Sequence, residues 1–230
     1  MTAITGSVQQ QSRAVTADGL DKNVHVNRGG QLETNNIMAL YDSWVRAGRV
    51  FETHNATIGT MITGGVGITL TIPSFRFTVP STRVVVPISV QIAAVTVVNK
   101  DDHFIVVATH TDTYTSGGLA GSTVQPLFID NLGAGAPESS AVTNVYNNDT
   151  PITEAALVAP RQLKSMFRVG VAAEVQMTWQ PEYNILKGDP WCYIHGPGSF
   201  LVFVGQETTA PEFSYCVTWA ELDKNELVNN

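Results

Sequence analysis

Phe213-Ser-Tyr-Cys-Val-Thr-Trp-Ala-Glu221 alternates with a period of two almost without a break. Phe213, Tyr215, Val217 and Trp219 fall on one face; Ser214, Cys216, Thr218 and Ala220 fall on the other. Successive side chains of a strand point to opposite faces, so this is a strand with one large apolar face and one small polar face. Such a strand closes a sandwich and is a structural element, not a catalytic one.

The pattern recurs upstream. In Val171-Ala-Ala-Glu-Val-Gln-Met-Thr-Trp179, Val171, Ala173, Val175, Met177 and Trp179 face one way, and Ala172, Glu174, Gln176 and Thr178 the other. Tyr193-Ile194, the turn Gly196-Pro-Gly198 and the strand Ser199–Val204 follow, and a loop from Gly205 to Pro211 leads to the closing strand. Earlier, Ile68, Leu70 and Ile72 alternate with Thr69 and Thr71. Pro73 and Pro80 bracket Phe75-Arg-Phe77, which marks an edge strand, because proline cannot donate to a ladder. Val84 to Val98 is the longest β-branched run. Val86, Ile88, Val90 and Ile92 share a face while Val95 and Val97 take the opposite parity, so a bulge or turn is expected near Ala93-Ala94. Phe104–Thr109 is continuously apolar and reads as buried on both faces. Residues 115–150 read as a long loop with a strand inside it at Val124–Ile129, and Thr153–Val158 as one helical turn before Pro160.

Before residue 55 the character differs. Residues 1–36 are rich in Gln, Asn, Gly and Thr without a sustained period. Arg13, Lys22 and Arg28 are balanced by Asp18, Asp21 and Glu33. This reads as an extended N-terminal arm with no core of its own, ordered by what it binds. Within 37–51, Ile37, Leu40, Tyr41, Trp44 and Val45 recur at helical spacing, with Asn35 or Asn36 as cap and Gly48 as stop; a strand with bulky residues is the alternative. The domain organisation is thus an arm over 1–36 and one domain over 37–230. The expected fold is all-β: an antiparallel jelly-roll β-sandwich with at most one or two short helices.

The composition fits one domain of this kind: 230 residues, 43% hydrophobic and 14% charged. A net charge of -7 gives no general attraction to nucleic acid or to anionic membrane. So low a charged fraction points to surface hidden in contacts with other subunits. No run reaches the about 20 apolar residues of a membrane helix, and the N-terminal sequence has no basic-then-apolar secretion signal. Asn55-Ala-Thr and Asn148-Asp-Thr match the glycosylation pattern but read as turn sequence without secretion. Cys192 and Cys216 are too few for a disulfide framework; Cys216 reads as a small buried hydrophobe, with a Cys192–Cys216 bridge as the alternative.

Residues with chemical potential are few. His110-Thr-Asp112 has the H-x-D spacing of two metal ligands on one strand face, with His195 as the candidate third. The basic residue that iron oxygenases of this type place shortly after the distal histidine is missing, since the next one is Lys224. His103 and His110 are too far apart for a cupin pair, and no nucleophile elbow, phosphate loop or zinc spacing occurs. Glu174 faces the polar side of its strand, but glycoside hydrolysis needs a second carboxylate at a set distance. Trp179 and Trp219 belong to heavy apolar faces and read as core, leaving Trp191 as the candidate of a surface sugar platform. No catalytic residue, metal site or cofactor is therefore expected.

Tyr41 and Trp44 leading into Ala47-Gly-Arg-Val-Phe51, the arm before them, Gly198-Ser-Phe-Leu-Val-Phe203 and Phe213–Leu222 together carry a resemblance. The chain resembles single jelly-roll structural proteins of virions, in particular proteins of environmental bacteriophages with a similar segment in which an aromatic residue leads into Gly-Arg-x-Phe. The resemblance implies a non-enzymatic capsid or cement (decoration) subunit of the virion, assembled in the host cytoplasm. It implies self-association into a trimer or larger ring and contacts to other capsid subunits through the arm; the long polar loops at 115–150 and 205–212 read as further contact surface. The arm here is neutral, whereas coat proteins that package single-stranded RNA carry a basic one; direct contact with the genome is not expected, nor is contact with a membrane. A carbohydrate- or receptor-binding β-sandwich module is the alternative function, and a metal-dependent jelly-roll enzyme the second.

Overall fold

The closing strand forms as its alternation predicts. In a computed structural model of the chain it runs over Glu212–Asp223, with Phe213, Tyr215, Val217 and Trp219 all buried. The structure describes residues 25–26, 32–33, 37–55, 61–68, 73–97, 100–110, 119–120, 125–126, 138–145, 160–170 and 176–224. Its strands in chain order are β1 (His25–Val26), β2 (Leu32–Glu33), β3 (Val50–His54), β4 (Ile62–Thr63), β5 (Gly65–Val66), β6 (Phe75–Val79), β7 (Arg83–Val97) and β8 (Asp102–Thr109). There follow β9 (Leu119–Ala120), β10 (Gln125–Pro126), β11 (Val142–Val145), β12 (Arg161–Arg168), β13 (Gln176–Trp179), β14 (Glu182–Asn184), β15 (Ile194–His195), β16 (Gly198–Gln206) and β17 (Glu212–Asp223). Helix α1 (Ile37–Arg46) precedes β3.

The chain divides into two compact units, Met1–Leu40 and Tyr41–Asn230. In the first, β1 and β2 pair antiparallel. The second is an antiparallel β-sandwich. Its sheet I has the order β10-β3-β17-β7-β13, with β14 and β15 also on β7 and β4 on β17. Its sheet II has the order β12-β8-β16-β6-β11-β9, and β5 adds a short parallel contact to β16. The all-β expectation therefore holds for the described residues.

Helix α1 forms where the three- and four-residue spacing places it. Gly48, at φ 67°, ends it in the left-handed region that only glycine enters freely, and its N–H donates to the Val45 carbonyl. Phe104–Thr109 lies within β8 and is mostly buried on both faces. On the outer side of sheet II, Val107, Leu201 and Phe203 form a small second cluster with Ile68 and Ile105.

Several expectations need correction. Phe75–Val79 is not an edge strand: β16 flanks it on one side and β11 on the other. Pro73 and Pro80 stand just outside its ends, so neither removes a ladder donor. No bulge or turn occurs at Ala93-Ala94; β7 is a single strand of 15 residues. The irregularity falls at Pro87-Ile88, where Thr218 pairs with Ser89 but Trp219 pairs with Pro87. Proline has no N–H to give, and the extra residue Ile88 accommodates that loss. Beyond it, Val95 lies on the outward face and is half-buried, which is the parity change seen in the sequence. The described part of the Val171–Trp179 strand is Gln176–Trp179. Val124–Ile129 contributes the two residues of β10, and Thr153–Val158 lies outside the described residues.

The core joins the sheets through aromatic rings. Phe77 of β6 stacks on Trp219 of β17 at 5.1 Å and on Phe200 of β16 at 4.9 Å. Phe75 meets Tyr215 at 5.0 Å, again from one sheet to the other. Trp179 is half-buried at the margin of this core, and the Arg168 guanidinium lies 5.6 Å from its ring centroid.

Arg168 belongs to a polar clasp at the same margin. Asp102 is fully buried; its Oδ2 accepts from both Nε (2.8 Å) and Nη2 of Arg168, and its Oδ1 accepts from Gln206 Nε2 at 3.0 Å. Burial pushes the Asp102 carboxyl up, against the lowering pull of Arg168 and Gln206. Arg168 keeps 21% of its side chain exposed, so the loss of Asp102 is felt mainly through the hydrogen bonds it accepts. Asp102→Ala is expected to cost about 1–3 kcal/mol in urea unfolding, whereas Asp42→Ala, which breaks the exposed Asp42–Arg46 pair, costs under about 1 kcal/mol.

Candidate functional site

The outer face of sheet I gathers polar side chains into rows, because residues paired across neighbouring strands share a face. Glu182 of β14 pairs with Gln91 of β7, Gln91 with Cys216 of β17, and Cys216 with His54 of β3. The next row runs Asn184, Ser89, Thr218 and Glu52. Each strand supplies one member because its buried partners alternate with it: Phe51 and Thr53 flank Glu52, and Val90 and Ile92 flank Gln91.

A cleft of about 460 Å³ opens along the first row. Ala93, Ser214 and Cys216 form its floor, and Gln91, Gln180 and Glu182 stand at its walls. The wall past Glu182 is held by its own hydrogen bonds. Asn184 Nδ2 and Lys187 Nζ donate to Glu182 at 2.8 and 2.5 Å. Asn184 Oδ1 accepts from Leu186 N at 2.9 Å and caps the 3-10 turn Ile185–Lys187. Gly188, at φ 101°, closes that turn. Asp189 accepts from Asn184 N at 2.8 Å and from Lys164 Nζ at 2.5 Å, which ties the wall to β12. Lys187, helped by Asn184, holds the Glu182 carboxyl below its ordinary range.

Cys216, His54 and Glu52 are residue types that build thiol nucleophiles, but the chemistry here runs the other way. Burial, then the charge and hydrogen bond of Glu52, push the Cys216 thiol up to about 12. A thiol held protonated is a poor nucleophile. Burial also raises Cys192, and both cysteines are free, so the alternative of a bridge between them is not realised.

The residues singled out from sequence fare differently. His110, just after β8, and His195, in β15, are both exposed, and Asp112 lies outside the described residues. Among the described residues no group of three or more His, Cys, Asp or Glu side chains is placed to hold a metal ion. Glu174 also lies outside the described residues. Trp219 is wholly buried and Trp179 half-buried, as core residues. Trp191 is not a free platform: it is half-buried against the core, edge-on to Trp44 at 6.1 Å, with Tyr193 tilted beside it at 6.3 Å. Asn55 of the first glycosylation pattern is buried and accepts from Tyr215 N at 2.8 Å.

Of the loop at 115–150, the return leg 138–141 is fastened to β17. The buried Glu221 carboxylate accepts from Ser139 Oγ at 2.5 Å, Ser140 N at 2.9 Å, Ala141 N at 3.3 Å and Trp219 Nε1 at 3.0 Å. The loop at 205–212 is shorter than expected, since β16 continues to Gln206 and β17 begins at Glu212. Neither Glu221 nor the Glu182–Gln91–Cys216–His54 row carries a spacing signal, because Ser139, Ser140 and Ala141 for the one, and the row's own members for the other, come from distant parts of the chain. No helix of the described residues is long and apolar enough to cross a membrane. Compared with known proteins, the chain matches no family model, no curated protein and no solved structure significantly.

Two outcomes follow from this geometry. In the folded protein at pH 8, Cys216 is expected to react with a disulfide reagent many times more slowly than after unfolding in urea; equal rates would contradict the raised thiol. Because the folded-state carboxyl of Glu182 is lowered, its stabilisation is present above its unfolded titration range and is lost as pH falls through the folded one. Glu182→Gln should therefore cost about 0.5–1 kcal/mol at pH 7, and the cost should shrink as pH falls through the acid range, as read by urea unfolding.

Proposed function

We propose that the chain is a non-enzymatic structural subunit that self-associates and forms or reinforces a capsid lattice, as a coat or cement subunit. Strand order supports the architecture this reading needs. Taking the long strands in sequence, β3 pairs with β17, β6 with β16, β7 with the line β13–β15, and β8 with β12. Each antiparallel pair nests inside the one before, as in a single long hairpin rolled across two sheets. We read this as a jelly roll, the architecture of many viral capsid domains and also of lectins and cupins.

A fold by itself does not choose among such functions. The choice of a capsid subunit rests on the resemblance carried by Ala47–Phe51, Gly198–Phe203 and Phe213–Leu222, together with a charged fraction of only 14%. The separate unit Met1–Leu40 contains the neutral segment read as an arm. Phe167 and Val169, 54% and 63% exposed at the end of edge strand β12, are apolar surface of the kind that subunit contacts cover.

Native mass measurement of the purified full chain tests the proposal. A trimer or larger ring is expected, and deletion of residues 1–36 should lower the assembly state without unfolding the sandwich. A full chain that stays monomeric at micromolar concentration would overturn the reading.

A further inference from the structure

We propose that the cleft on the outer face of sheet I is a binding site for a neutral saccharide. Its volume, about 460 Å³, falls in the range of small-ligand sites. The floor is flat and small: Ala93 and Ser214 are cross-strand partners, as are Gln91 and Cys216, and none of Ala93, Ser214 and Cys216 fills the space above the sheet. A sugar ring can lay its apolar face on the Ala93 methyl and turn its hydroxyls to the walls.

Those walls match hydroxyl chemistry. Gln91 and Gln180 are exposed carboxamides, each offering both donors and acceptors. Glu182 is a carboxylate with room for about four hydrogen bonds; Asn184 and Lys187 donate two. Adjacent sugar hydroxyls, which donate and accept in pairs, fit such planar groups.

The charge balance selects a neutral ligand. Lys187 already compensates Glu182 at 2.5 Å, so the cleft has no uncompensated carboxylate or ammonium to attract an ion. The wall is also preorganised. Asn184, the 3-10 turn, Gly188 and Asp189 hold Glu182 in place before any ligand arrives, which lowers the ordering cost of binding.

The site does not depend on the assembly proposed above, and its test is separate. Saturation-transfer NMR on the full chain with glucose, galactose, mannose, N-acetylglucosamine and lactose should give transfer to at least one of them. Gln91→Ala and Gln180→Ala should each weaken that binding about three- to tenfold, with the thermal midpoint unchanged. No transfer to any of the five sugars, or binding that persists undiminished in both variants, would overturn the proposal. So would binding confined to a sialylated or sulfated glycan added as a control.

Discussion

The stack of Phe77 on Trp219 is the contact on which the sandwich depends. One ring comes from each sheet, at 5.1 Å, and Phe200 extends the stack within sheet II. Two such sheets lie roughly 10 Å apart, a gap that only large side chains fill from both sides. An aromatic pair adds about 0.5–1.5 kcal/mol beyond the area it buries. The buried indole of Trp219 also carries an N–H that needs a partner. Glu221 accepts it at 3.0 Å and gathers Ser139, Ser140 and Ala141 on its remaining lone pairs. The same tryptophan therefore fixes the spacing of the sheets and the polar anchor of a long loop.

Once Trp219 is placed, the register of β17 is placed with it. A slip of one residue would turn Phe213, Tyr215, Val217 and Trp219 outward. The ladder between β7 and β17 is unbroken from Phe213 to Thr218, and its irregularity is confined to Pro87-Ile88. On the regular side of that point the strands are two-faced, with Gln91, Ser214 and Cys216 outward and Ile92, Tyr215 and Val217 inward. On the other side Val84, Val85 and Val86 of β7 and Ala220 and Leu222 of β17 are all buried. The cleft lies on the regular stretch, where the outward residues of β7 and β17 are polar or small.

Much of this was legible in the sequence where the signal was local. The alternation of Phe213–Glu221, the helical spacing from Ile37 to Val45 and the stop at Gly48 all describe neighbours along the chain. The two strand corrections concern partners that lie far away. Phe75–Val79 looked like an edge because nothing nearby announces that Val142–Val145 will pair with it. The parity change of Val95 points to a bulge at Ala93-Ala94, but Val95 lies on the outward face of a regular strand, and the irregularity sits at the proline. The cleft was invisible for the same reason. Glu182, Gln91, Cys216 and His54 come from four strands; the small polar face of Ser214, Cys216 and Thr218 shows in the alternation of the closing strand, but which residues stand beside it does not.

The position of β17 has a consequence for how the protein is made. It lies between β3 and β7, so Val50 and Val86 both find their ladder partner in Ala220. During synthesis β3 and β7 emerge long before the strand that separates them. Until β17 leaves the ribosome, sheet I has a gap at its centre and Phe77 has no tryptophan to stack on. Contacts so distant in sequence form slowly. A chain still being translated thus lacks the finished sandwich until β17 has emerged, which delays any association that requires the folded surface to that point.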